Sequence, residues 1–159
     1  MRIGVDFDNT IVLYDALFHS IALKRGLIPN NLLVSKVAVR NFLRANGQEE
    51  LWTLIQGEAY GTRMSEAACH TGFLTFAKKA QEAGSELVII SHKTKYPFIG
   101  PKYDLHQAAK SWIEINIEPS NSKLNKKIEA YFELTKEKKI DRIASLNCDI
   151  FIDDLPDNT

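Results

Sequence analysis

The segment MRIGVDFDNT, residues 1–10, governs how the whole chain is read. Ile3 and Val5 are β-branched, residue types that fit a pleated and buried strand, and the run breaks at the polar cluster Asp8, Asn9 and Thr10. This predicts a strand over residues 2–7 that carries Asp6 and Asp8 at its carboxyl end. Because side chains alternate along a strand, the two carboxylates fall on the same side.

Downstream, Leu13, Leu17, Ile21 and Leu23 recur at roughly helical spacing across residues 12–27, and Gly26 supplies a stop. Pro29, the run at 32–39, the amphipathic stretch at 49–55, and Gly57 and Gly61 predict a small helical insertion, placed at residues 15–65 within a single domain of residues 1–159. A helix over 71–83 ends at Gly84, and ELVII at 86–90 reads as a buried strand of the parallel type leading into Ser91. A loop at 92–104 holds Pro97, Gly100 and Pro101, and a helix over 105–115 carries Trp112. A strand over 128–134, a helix over 136–146 capped by Thr135 and a strand over 149–152 follow. Ile140, Ile143 and Leu146 form the expected buried face of that helix. Strands alternating with helices predict an α/β fold: a mostly parallel sheet with helices on both faces and right-handed crossovers.

Composition narrows the class. A chain of 159 residues can bury one substantial core, and 45% hydrophobic with 25% charged residues is the balance of an ordinary folded globular protein. Twenty Lys and Arg offset twenty Asp and Glu, so no net field draws the chain onto nucleic acid or an anionic membrane. Cys69 and Cys148 have no companion at ligand spacing and are expected as small buried apolar residues. The apolar stretch before Asp6 is too short for a signal peptide and no run approaches a membrane span, so the expectation is a cytoplasmic protein without membrane association.

Open parallel sheets bind ligands outside the carboxyl ends of their strands. Asp6 and Asp8, Ser91, Lys136 at a helix entrance, and Asp153 with Asp154 are all expected there. So many carboxylates at buried strand ends repel one another unless a cation compensates, and hard oxygen donors suit Mg2+. Asp6, the backbone carbonyl of Asp8, and Asp154 or Asp153 are the expected ligands. A carboxylate nucleophile at Asp6 with a second carboxylate at Asp8 to move protons is a pattern for phosphoryl transfer. Ser91 and Lys136 would hold the phosphoryl oxygens. Lys138 and Lys139 compete with Lys136 in the run KEKK, and Lys136 is favoured by its place at the helix entrance. His92 and Lys93 are candidate substrate contacts, as are Arg40, Arg44, Arg63 and Tyr60 in the insertion, whereas His19, His70 and His106 lack ligand spacing. The loop SHKTKYPFIGPKYD could frame a phosphorylated ligand with Lys93, Lys95, Lys102, Tyr96, Phe98 and Tyr103.

DFDNT at 6–10, VIISHKT with Ser91, Lys136 opening a helix and IFIDDLPDN with Asp153 and Asp154 together resemble the four motifs of the haloacid dehalogenase superfamily, over almost the whole chain. The resemblance implies a Rossmann-like three-layer α/β/α core, a small helical cap, Mg2+ and an aspartyl-phosphate mechanism. Asp8 resembles the phosphatases of that superfamily rather than its dehalogenases, and by analogy Asp154 precedes Asp153 as metal ligand. The implied activity is hydrolysis of a small-molecule phosphate monoester such as a nucleotide or sugar phosphate, with phosphotransfer or a catalytically weak binding role as alternatives. Similar proteins continue beyond the last motif, whereas this chain ends at Thr159; an open sheet edge there would favour self-association.

Overall fold

The structure is a computed structural model and describes residues 1–154. Among them the chain forms an α/β fold of six strands and six helices. The strands are β1 (Arg2–Val5), β2 (Val12–Leu13), β3 (Ala68–Cys69), β4 (Glu86–His92), β5 (Glu129–Glu133) and β6 (Ile150–Ile152). The helices are α1 (Asp15–Lys24), α2 (Lys36–Ala45), α3 (Glu49–Tyr60), α4 (Phe73–Glu82), α5 (Leu105–Asn116) and α6 (Lys136–Ser145). Two compact units result, one of residues 1–12, 69–94 and 110 onward, the other of residues 13–68 and 95–109.

The first unit contains a four-stranded sheet in the order β5-β4-β1-β6, parallel throughout. β1 is central and buried because Ile3 and Val5 are apolar and Gly4 has no side chain to hold a neighbour away. Leu87 to Ile90 on β4 are buried without alternation, the signature of a strand covered on both faces. Burying a side chain such as Ile89 or Ile90 contributes about 1.5–3 kcal/mol each. Phe7 packs edge-on against Trp112 of α5 at 5.6 Å and Phe132 of β5 at 5.3 Å between ring centroids.

The second unit is helical. Tyr14, Phe18 and Tyr60 pack edge-on and Trp52 lies tilted against Phe18, and the ammonium of Lys36 lies 5.3 Å from the Phe18 and Tyr60 rings and 5.8 Å from that of Tyr14. The Ser35 hydroxyl caps α2 by accepting from Ala38 N at 3.2 Å. The segment 95–104 belongs to this unit as well, close against α3. A Cβ at Gly57 would lie 2.9 Å from Pro97 Cβ, so only glycine admits that approach.

Three expectations need correction. The helix expected over 12–27 starts later, because Val12 is drawn into β2 and its N–H donates to Phe7 O in a tight turn. Cys69 and Cys148 are half-buried free thiols rather than core residues, each pushed up from its ordinary pKa chiefly by desolvation. Ile140 is 53% exposed. The half-buried positions of α6 are Lys139, Arg142 and Ile143, followed by Leu146 just past its end. Ile143 and Leu146 thus lie on the inward face as expected, and Lys139 takes the place expected for Ile140. Lys139 reaches carboxylates, and Arg142 pairs with Glu133 at 2.9 Å and lies over the Tyr131 ring.

The sheet generates a stability prediction. A Cβ on Gly4 would stand 2.6 Å from Phe151 Cδ2 and 3.1 Å from Cys148 Sγ. Gly4→Ala should therefore cost about 1–3 kcal/mol as β6 shifts to make room. Urea unfolding checks this; an unchanged midpoint would show that β6 does not lie so close.

Candidate functional site

Backbone hydrogen bonding converts the end of β1 into a rigid platform. Asp6 N donates to Ile152 O at 2.9 Å, extending the β1–β6 ladder by one residue. Immediately beyond, Phe7 O accepts from the N–H groups of Thr10, Ile11 and Val12, and Asn9 adopts a left-handed φ of 64°. Asparagine tolerates that conformation better than most residues, so the polar break in the sequence is also the turn. Asp8 forms an isolated bridge with Val12. Thr10 Oγ1 is buried and has no hydrogen-bond partner among the described residues.

Because β6 runs parallel to β1 in this register, the residues after Ile152 emerge beside Asp6. Asp6, Asp153 and Asp154 each offer a carboxylate oxygen, and these lie within 4.8 Å of one another. Lys139 Nζ stands 3.4 Å from Asp6 Oδ1 and 3.1 Å from Asp153 Oδ2, and 5.1 Å from the Phe151 ring centroid. Lys136 is exposed at the first position of α6, with Thr135 capping the helix by accepting from Lys138 N at 3.1 Å. Lys139, which the sequence ranks below Lys136, pairs with the nucleophile candidate.

Burial raises Asp6 most: desolvation, the hydrogen bond with Asp153 and its charge outweigh Lys139 and push the carboxyl up from 3.8 to about 7. Asp154 is also raised, first by burial and then by its hydrogen bond with Asp153. Three clustered carboxyl groups with Lys139 beside them are a donor set suited to a hard divalent cation. The Asp8 carboxylate is engaged elsewhere: Lys93 Nζ donates to both its oxygens, at 3.2 and 2.9 Å.

The remaining candidates are distributed as follows. Ser91 is buried near the end of β4, opposite Phe132 of β5. His92 is exposed, whereas Lys93 is only 5% exposed. In the second unit, Arg44 pairs with Glu49, Arg63 with Glu66, Arg40 donates to Asn41 and Tyr60 packs in the aromatic cluster. Phe98 is largely exposed on the 95–104 segment, and the Lys95 ammonium lies over the Tyr96 ring. Among the described residues no helix is long and apolar enough to cross a membrane. No family model, curated protein or solved structure matches the chain.

The raised Asp6 carries a pH consequence. A carboxyl whose folded pKa lies above its unfolded one favours the fold below about 4, and that advantage is lost as pH rises through about 7. In chelator-treated protein, Asp6→Asn should therefore melt higher than the unaltered chain at about pH 8, with the gap closing toward pH 4. Calorimetry across that range measures it, and a gap independent of pH would contradict the assignment.

Proposed function

We propose that the chain is a divalent-cation-dependent phosphohydrolase that acts on a small-molecule phosphate monoester through phosphorylation of Asp6. The observation that carries this reading is the convergence of Asp6, Asp153 and Asp154 around Lys139 beside parallel strand ends, in a chain whose motifs resemble the haloacid dehalogenase superfamily. Under this reading the first unit is the Rossmann-like core and the helical unit the cap that the resemblance implies.

Asp6, Asp153 or Asp154, and the backbone carbonyl of Asp8 would hold the cation, with Mg2+ the first choice for an all-oxygen set. The cation would neutralise phosphoryl charge and the repulsion among the carboxylates. Asp6 Oδ forms a bond to phosphorus as the ester P–O bond breaks, and the leaving oxygen collects a proton from Asp8. Water then donates its proton to Asp8 while its oxygen bonds to phosphorus, the P–O bond to Asp6 breaks, and inorganic phosphate departs. Lys139 keeps Asp6 oriented and supplies positive charge to the phosphoryl oxygens, and the Ser91 hydroxyl is the expected donor to them.

The test is phosphate release from an aryl phosphate and a panel of metabolite phosphates with and without Mg2+. Metal-dependent turnover should fall by at least about 1,000-fold in Asp6→Asn, since removing a nucleophile leaves only binding and electrostatics. Lys139→Met should lose more than Lys136→Met. Turnover that survives Asp6→Asn would overturn the mechanism, and its absence from the unaltered chain across the panel would overturn the phosphohydrolase itself.

A further inference from the structure

Lys93 is the most deeply buried charged group among the described residues, and the proposed chemistry assigns it nothing. Its side chain is 4% exposed, and that of Asp8, its partner, 22%. Lysine is almost never this buried unless paired, and removing two charges from water generally makes such a pair no more stabilising than well-packed apolar residues. Stability alone therefore gives no reason for a lysine here.

Both ends of the pair are held. Lys93 N donates to Glu133 O at 2.9 Å, continuing the β4–β5 ladder one residue beyond β4 and fixing the backbone from which the side chain starts. On the other side, the turn around Phe7 O and the Asp8–Val12 bridge fix the Asp8 backbone. The ammonium engages Oδ1 and Oδ2 together, at 3.2 and 2.9 Å, so it restrains rotation of the carboxylate as well as its position. Asp6 is held differently: Lys139 Nζ stands 3.4 Å from its Oδ1 and divides its charge between Asp6 and Asp153.

We propose that Lys93 is a positioning residue: it orients the Asp8 carboxylate as the base that takes a proton from water during hydrolysis of the Asp6 phosphoryl ester. This rests on the phosphohydrolase reading above and deepens it. The first half-reaction uses Asp8 protonated and the second uses it ionised, the form whose two oxygens the ammonium holds, so the second half-reaction depends on Lys93 most. In that step the water O–H proton passes to Asp8, the water oxygen bonds to phosphorus, and the Asp6 oxygen leaves with its electron pair.

The experiment is rapid-mixing kinetics with p-nitrophenyl phosphate and Mg2+, comparing the unaltered chain, Lys93→Met and Lys93→Arg. Lys93→Met should release close to one equivalent of nitrophenol per enzyme in a burst. Steady turnover should then slow by about 100-fold, the scale of a displaced general base. KM should fall along with kcat, and acid-quenched enzyme should carry phosphate. Lys93→Arg should retain more of the steady rate. In an Asp8→Asn background, Lys93→Met should add little further loss, because the residue acts through Asp8.

A fall in kcat without a burst or trapped phosphoryl group would overturn the role, as would full additivity with Asp8→Asn. If Lys93→Met does not fold, the arginine variant and its double with Asp8→Asn decide in the same way. Unaltered protein that is inactive or forms no phosphoryl-enzyme overturns the parent reading instead, which separates the two failures.

Discussion

The hydrogen bond from Asp6 N to Ile152 O is the contact on which the site depends. It is the last rung of a parallel ladder that pairs Ile3 with Ile150, Gly4 with Phe151 and Val5 with Ile152. Parallel register means both chains leave the sheet in the same direction, so carboxylates about 150 residues apart in sequence emerge side by side. A one-residue slip would turn every β6 side chain to the opposite face and separate Asp6 from Asp153. Gly4 is the permissive element, since any larger residue would hold Phe151 and the whole of β6 away.

The electrostatics follow from that placement. Bringing Asp6, Asp153 and Asp154 together in a partly desolvated corner costs stability, expressed in the upward shift of Asp6 to about 7. Lys139 offsets part of the cost. Such tension is the condition under which a cation binds tightly and a carboxylate becomes available for chemistry. The Asp8–Lys93 pair adds a second, separately neutralised acid a few residues along, so one turn of chain holds two carboxylates in different environments. Different environments are what allow two identical groups to take different roles.

Much of the fold was legible because its signals are local. Short runs rich in apolar and aromatic residues marked all four strands of the sheet, and Gly84 and Thr135 marked a helix end and a helix start. Where prediction slipped, the cause was a tertiary competitor. Val12 left the expected helix for a β-pair. On α6, Ile143 and Leu146 kept the expected face, but Lys139 and Arg142 are drawn to Asp6, Asp153 and Glu133, leaving Ile140 in solvent. The signal for Lys139 was nonetheless present: it precedes Ile143 by four and Leu146 by seven, the spacing of one helix face.

The sequence by itself determined the α/β alternation and the acidic residues available at the strand ends, because strand propensity, caps and breaks act over a few neighbouring residues. Tertiary structure alone decided which cation meets which carboxylate. Lys139 reaches Asp6 through the rotation of α6 against the sheet, and Lys93 reaches Asp8 because β4 carries it alongside the turn after β1. Those pairings are set by register, helix phase and the cost of leaving a buried charge uncompensated, none of which is encoded in any short stretch of chain.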